Sequence, residues 1–259
     1  KVREIAIFAQ KRSGHHAVIN WLRYQLPGLH IFLNSCEPNQ NPLYTCSINQ
    51  SRIGVKNKDI RARKVLLYFF LNYRLSSWLL YNYEDYAPTT IQLQSFMQPS
   101  QNTIQLMVLR SPMNLIASRM KWELSFRSRF EPIDENILNQ KLEKAISDWL
   151  HFAELSLSNK FLSIYFDRWL HDMEYKKQIM NSINISHKEP ISNKVAQWGP
   201  GSSFNGKYVG EGRNLDVLNR WQLYANDHRF IRIVNRHEVK NLLNQIDDWS
   251  SGSKWLMNL

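Results

Sequence analysis

The stretch Glu4–Leu26 reads EIAIFAQKRSGHHAVINWLRYQL, and its three parts decide the fold. Glu4–Ala9 is a short apolar run suited to a parallel strand buried on both faces. His15–Leu26 places Ala17, Val18, Trp21, Leu22 and Leu26 at helical spacing. Gln10–Gly14 is a tight polar turn between them. Strand, glycine-containing turn and helix together aim backbone N–H groups and a helix N-terminus at an anion. Lys11 and Arg12 set two cations beside that nest. The segment is read as the holder of a phosphate-like group; the plainer alternative is a βα turn with solvated basic residues.

An NTP-binding loop follows the pattern G-x-x-x-x-G-K-[ST], in which the lysine reaches the β/γ-phosphates and the hydroxyl ligates Mg²⁺. The same frame here reads Ala9-Gln-Lys-Arg-Ser-Gly14-His15-His16, so both parts of a metal-nucleotide site are replaced by histidine. The remaining Arg12-Ser13-Gly14 resembles the 5′-phosphosulfate loop of sulfotransferases that use 3′-phosphoadenosine 5′-phosphosulfate (PAPS). That family carries K-S-G-T-T or R-S-G-[ST]-[ST] after its first strand. The resemblance assigns Lys11, Arg12, Ser13, Gly14, His15, His16 and Ala17 to the cofactor's 5′ side.

A second motif lies about a hundred residues on. Thr103–Leu109 (TIQLMVL) is a core strand, and Arg110-Ser-Pro-Met turns into a helix with Pro112 in its first turn. Arg110, Pro112 and Ser118 match the family's strand-end arginine, the proline two residues later and the serine eight residues from the arginine. In the family this Arg and Ser bind the nucleotide 3′-phosphate. A guanidinium fork suits that task. Ser118 lies about two helical turns along, so the two share a phosphate only if the helix start bends toward the strand end. A third segment, Gln197–Arg213 (QWGPGSSFNGKYVGEGR), holds five of the chain's nine glycines. It resembles the family's late loop over the 3′-phosphate and adenine, with Ser202, Ser203, Gly206, Lys207 and Arg213 as candidates; a plain surface loop is the alternative.

The rest of the chain is read as one α/β domain over 1–259, without linker, repeat or low-complexity tract. His30–Asn34 is a second strand, and Ser35–Arg63 a long polar loop. Val65–Leu80 is the most apolar region, but Asn72 and Arg74 interrupt it and it is shorter than a membrane span of roughly 20 residues. Ser77–Tyr83 is a buried strand ending in Glu84-Asp85, and Ile91–Gln98 a short helix. Asp134–Ser158 is a long helix, and Phe161–Phe166 a strand followed by a helix through Asn181. Asn214–Ala225 and Arg229–Leu243 read as amphipathic helices.

Lysine and arginine number 33 against 22 acidic residues, a net charge of +11. That excess favours anionic partners without choosing among nucleic acid, membrane surface, polyanion and charged nucleotide. Cys36 and Cys46 make neither a disulfide scaffold nor a zinc site. Free thiols and a cytoplasmic location are expected; a bridge and the secretory-pathway lumen are the alternative.

The resemblance implies a three-layer P-loop-like fold, a central parallel sheet flanked by helices. It also implies metal-free transfer of a sulfuryl group from PAPS to an acceptor hydroxyl or amine, such as a carbohydrate. No nucleic-acid partner is expected. The rival reading is a non-catalytic basic protein that binds nucleic acid or polyanion. Arg12 is assigned to charge developing on the leaving oxygen. For the general base the family's histidine between the two motifs has no counterpart, since no histidine lies between His30 and His151. Glu84 ranks first because it follows a strand toward the sheet's ligand edge; Asp85 ranks second, and Glu37 and His16 follow. If Arg110 and Ser118 hold a 3′-phosphate, 3′-phosphoadenosine 5′-phosphate is expected to bind at least about tenfold tighter than AMP in calorimetry, the effect of one charge-assisted contact. Equal affinities would remove the assignment.

Overall fold

A computed structural model describes residues 2–40, 42–45, 77–90, 103–125, 134–188, 216–246 and 256. Five strands form one sheet: β1 (Val2–Ala9), β2 (Leu29–Leu33), β3 (Ser77–Glu84), β4 (Ile104–Leu109) and β5 (Leu162–Tyr165). Their spatial order is β2-β3-β1-β4-β5, and every pairing is parallel. Ile5–Ala9 are wholly buried, as a central parallel strand covered on both faces requires. Alternation divides them: Ile5, Ile7 and Ala9 face one side, Ala6 and Phe8 the other.

Against the first side pack α1 (His15–Gln25), α5 (Phe166–His171) and α6 (Met173–Ser182), through Val18, Leu22, Trp169 and Ile179. A short helix, α2 (Pro42–Thr45), follows β2. Against the other side pack α3 (Pro112–Ser125), α4 (Glu135–Leu157), α7 (His228–Val234) and α8 (His237–Gln245). The result is the expected three-layer α/β arrangement.

Two expected helices differ. The helix expected after Phe166 and through Asn181 is broken at Asp172, whose carboxylate accepts from the Tyr175 N–H and pairs with Arg168 Nε at 2.9 Å, so it caps a new helix. Arg229–Leu243 is two helices, because Val234 and Val239 are both fully buried yet five residues apart. That spacing points to different faces of a continuous helix, and the break at Asn235–Arg236 turns both inward. Within Asn214–Ala225 the described part holds only a 3₁₀ turn, Arg220–Tyr224. Ile91–Gln98, Gln197–Arg213, Cys46 and most of Ser35–Arg63 lie outside the described residues, as does the first part of Val65–Leu80. Among the described residues no helix is long and apolar enough to cross a membrane.

The connection leaving β1 leads to β2 on one side, and that leaving β4 leads to β5 on the other. The crevice between such diverging connections is where open α/β sheets bind ligands. Gly14 closes the first connection at φ +82°, a left-handed conformation. A Cβ there would lie 2.4 Å from Phe166 Cε2. Gly14→Ala is expected to cost about 2–4 kcal/mol in urea unfolding, from left-handed strain plus overpacking. In a Phe166→Ala background the same change should cost only about 1–2 kcal/mol, the strain alone; equal costs in both backgrounds would rule out the clash.

Candidate functional site

The loop after β1 is held by its neighbours on both sides. Lys11 N–H donates to Asp85 Oδ1 at 2.8 Å, and Asp85 N–H donates to the Ala9 carbonyl at 2.9 Å. Asp85 also pairs with Lys11 Nζ at 3.7 Å and with Arg119 of α3. Buried Gln10 donates to the Ala145 carbonyl of α4 at 3.0 Å. Arg12 and Gly14 are both left-handed, at φ 71° and 82°, and Ser13 between them is buried. Such turns direct successive N–H groups to one concave side. No side chain caps α1, so the first N–H groups of the helix face this loop without an intrahelical acceptor.

Arg110 sits at the end of β4 and is almost wholly buried, at 2% exposure. Its Nη1 donates to the Arg12 carbonyl at 3.0 Å and lies 3.3 Å from Ser118 Oγ; its Nη2 donates to the Val217 carbonyl. Its Nε has no hydrogen-bond partner among the described residues. The bend that brings Ser118 back to Arg110 has a cause. Asp167, fully buried after β5, accepts from Ser111 N–H at 2.7 Å and from Asn114 Nδ2 at 3.4 Å, which fixes the start of α3 against the strand ends. Trp149 Nε1 donates to the Arg110 carbonyl at 2.8 Å from α4.

Two more arginines join the first. The Arg12 guanidinium stacks over Trp122, 3.8 Å from the ring centroid, and its pKa is pushed down to about 10, by burial first and then by Arg119. Arg220 is pushed down to about 9, by burial and then by Arg110, with Arg12 adding to the shift. Burial also lowers Arg110 to about 10, against the opposing pull of Asp167. The influence of both Arg110 and Arg12 on Arg220 marks one concentrated positive region. Arg220 was missed in the sequence, where a lone arginine inside an expected amphipathic helix carries no signal. Arg119 and Trp122 were missed likewise, although they fall on α3 one and four residues past Ser118.

The two histidines turn the other way. His15 is buried and His16 partly exposed, and their Nε2 atoms lie 3.0 Å and 3.3 Å from the same oxygen, Oε1 of Glu84. Glu84 ends β3 and is registered opposite Ala9, which sets it beside the first turn of α1. Burial resists its charge, but the two imidazole contacts prevail and hold the carboxyl well below the usual carboxylate range. Burial depresses the His15 pKa, with neighbouring His16 acting in the same sense. A neutral His15 ring then donates from Nε2 to Glu84 and accepts the Ser13 hydroxyl at Nδ1, 3.2 Å away.

The structure thus gathers Lys11, Arg12, Ser13, Gly14, His15, His16, Glu84, Arg110 and Ser118 at the carboxyl ends of β1, β3 and β4. Ala17 lies one residue into α1 beyond the histidines, with its N–H on the Gly14 carbonyl at 2.9 Å. Asp85 is committed to the loop and Arg119. Exposed Glu37 meets Gln40, at 3.3 Å. Ser202, Ser203, Gly206, Lys207 and Arg213 lie outside the described residues.

No family model and no curated protein sequence matches the chain. Solved structures similar to it include two sulfotransferases. Mouse sulfotransferase SULT7A1, solved in complex with PAP, is 13% identical, with 99% of this chain and 88% of that one covered, at a TM-score of 0.47. The sulfotransferase domain from the curacin biosynthetic pathway is 15% identical, with 95% and 97% covered, at a TM-score of 0.50. The likeness is one of fold.

Asp167 is the anionic counterweight of the positive region. Asp167→Ala is expected to lower stability by about 2–4 kcal/mol in urea unfolding, since it strands Ser111 N–H and buried Arg110. Asp148→Ala, which removes only the exposed Lys144 pair on α4, should cost less than about 1 kcal/mol.

Proposed function

We propose that this chain is a sulfotransferase that moves the sulfuryl group of PAPS to an acceptor hydroxyl or amine. One observation carries the reading: a single Arg110 nitrogen contacts both the Arg12 carbonyl and Ser118 Oγ, which joins two motifs 98 residues apart into one site. Three clustered arginines with depressed pKa values are a costly arrangement that a multiply charged anion relieves.

In this reading Arg110, Ser118 and Arg220 hold the 3′-phosphate, with Ser202, Ser203, Gly206, Lys207 and Arg213 proposed to close over it. The N–H groups of Gly14, His15 and His16 receive the 5′-phosphosulfate, flanked by Lys11 and Ala17. The acceptor oxygen attacks sulfur in line as the bond from sulfur to the bridging oxygen breaks. Arg12, positioned by its stack on Trp122, meets the negative charge growing on that oxygen. The acceptor's proton leaves toward the cluster of Glu84, His15 and His16. A carboxylate held so firmly ionised is a weak acceptor alone, so the cluster acts as a unit. Tyr86, 40% exposed and next to Asp85, offers a stacking face for a carbohydrate acceptor.

Arg110→Ala is expected to weaken binding of 3′-phosphoadenosine 5′-phosphate by about 2–4 kcal/mol in calorimetry, and Arg220→Ala by about 1–3 kcal/mol. Arg12→Ala should lower release of that product from PAPS, measured across a panel of hydroxyl acceptors, far more than it weakens product binding. A chain that binds oligonucleotide and bisphosphate equally, with no PAPS turnover, would instead be a polyanion-binding protein.

A further inference from the structure

We propose that His15, His16 and Glu84 form a binding site for a divalent metal ion of the zinc and cobalt class, beside the loop that receives the phosphosulfate. His15 Nε2, His16 Nε2 and a Glu84 carboxylate oxygen all lie within 4.8 Å of one another. Both nitrogens already converge on Oε1, at 3.0 Å and 3.3 Å. Ligand atoms placed about 2.0–2.2 Å from a tetrahedral ion stand roughly 3.3–3.6 Å apart. The observed separations require only small side-chain rotations.

The three ligands come from a helix start and a strand end that are fixed in register, the rigid support a metal site needs. Two imidazoles and one carboxylate favour zinc, cobalt or a similar ion over magnesium and calcium, which prefer oxygen throughout. Three protein ligands leave a fourth position open, the arrangement of catalytic sites. In nucleotide loops a hydroxyl at the His16 position ligates Mg²⁺. A cation here takes a comparable place beside the phosphate through nitrogen ligands. Glu84 is one anionic neighbour, and Asp85 lies near enough to act on His15.

The outer nitrogen of His15 supports the assignment. Metal-binding histidines almost always donate their other ring N–H to an oxygen, and Nδ1 of His15 lies 3.2 Å from buried Ser13 Oγ. Without a cation, the Ser13 hydroxyl proton is spent on Nδ1. With a cation on Nε2, the ring proton moves to Nδ1 and donates to Ser13 Oγ. The Ser13 hydroxyl proton is then released toward the loop's anion. Cation and nucleotide should therefore strengthen each other's binding, by the same factor in each direction. The cation's contribution to chemistry would be to acidify a coordinated acceptor hydroxyl, whose proton would then pass to the uncoordinated Glu84 oxygen in place of the histidines. That last point rests on the proposed function; the metal site does not.

Cobalt titration of tag-free, chelator-treated protein tests the site without nucleotide. The expected result is visible bands of protein-bound Co²⁺ that saturate at one equivalent and are displaced by Zn²⁺. His16→Ala and Glu84→Gln, with folding checked by circular dichroism, should each weaken Co²⁺ binding at least about tenfold. Absence of the bands in the wild type, or wild-type affinity in both variants, overturns the site. Calorimetry of 3′-phosphoadenosine 5′-phosphate into zinc-loaded and zinc-free protein tests the coupling. Tighter binding to the loaded protein that Ser13→Ala abolishes supports it, and equal affinities overturn it. Protein that binds Co²⁺ at these residues but not the bisphosphate keeps the metal site and loses the sulfotransferase reading.

Discussion

A guanidinium taken almost completely out of water governs this structure. Arg110 retains its charge because carbonyls and a serine oxygen surround it and because Asp167 stands nearby in the same interior. Each of those partners lies on a different part of the chain. The Arg12 carbonyl belongs to the loop after β1, Ser118 to α3 and Val217 to the segment before α7. Burying the arginine is tolerable only when all three are in place. The charge therefore acts as a condition on the fold, and it holds together the loops that make the crevice.

Around it the molecule accepts electrostatic crowding. Arg12 and Arg220 both act on a region that Arg110 already makes positive, and each is itself partly desolvated. A design for stability alone would scatter these residues to the surface. Keeping them together raises the free energy of the empty protein and lowers that of any complex with a compact polyanion. The left-handed backbone of Arg12 belongs to the same economy of strain, for it directs its carbonyl to Arg110 and its side chain to Trp122.

The sequence disclosed this arrangement unevenly, for physical reasons. Buried parallel strands are continuous apolar runs, so β1 and β4 were plain to read. Glycine and proline mark the loops that follow them. Arg110 and Ser118 were paired by resemblance, and the cause of their meeting, Asp167, lies about fifty residues away on another strand end, where local pattern is silent. Arg220 was illegible because its role depends on what surrounds it in space. Glu84 was read as a strand-end carboxylate; that both histidines would share one of its oxygens depends on the register of β3 against β1. The break between α7 and α8 carries no proline or glycine, and only the burial of Val239 explains it.

The central place of β1 also shapes how the chain must acquire its structure. Ile5 lies between Leu80 and Ile104 in the sheet. β1 precedes both of its neighbours in the chain, and the second of them, β4, follows about a hundred residues later. During that interval the apolar run Ile5–Ala9, with unpaired N–H and C=O groups on both edges, is exposed to solvent. Contacts so distant in sequence close slowly, and open strand edges recruit other chains. The positive loop that begins at Lys11, directly behind the strand, adds a like charge to every copy. Like charges that flank an apolar strand oppose the edge-to-edge joining of incompletely folded chains.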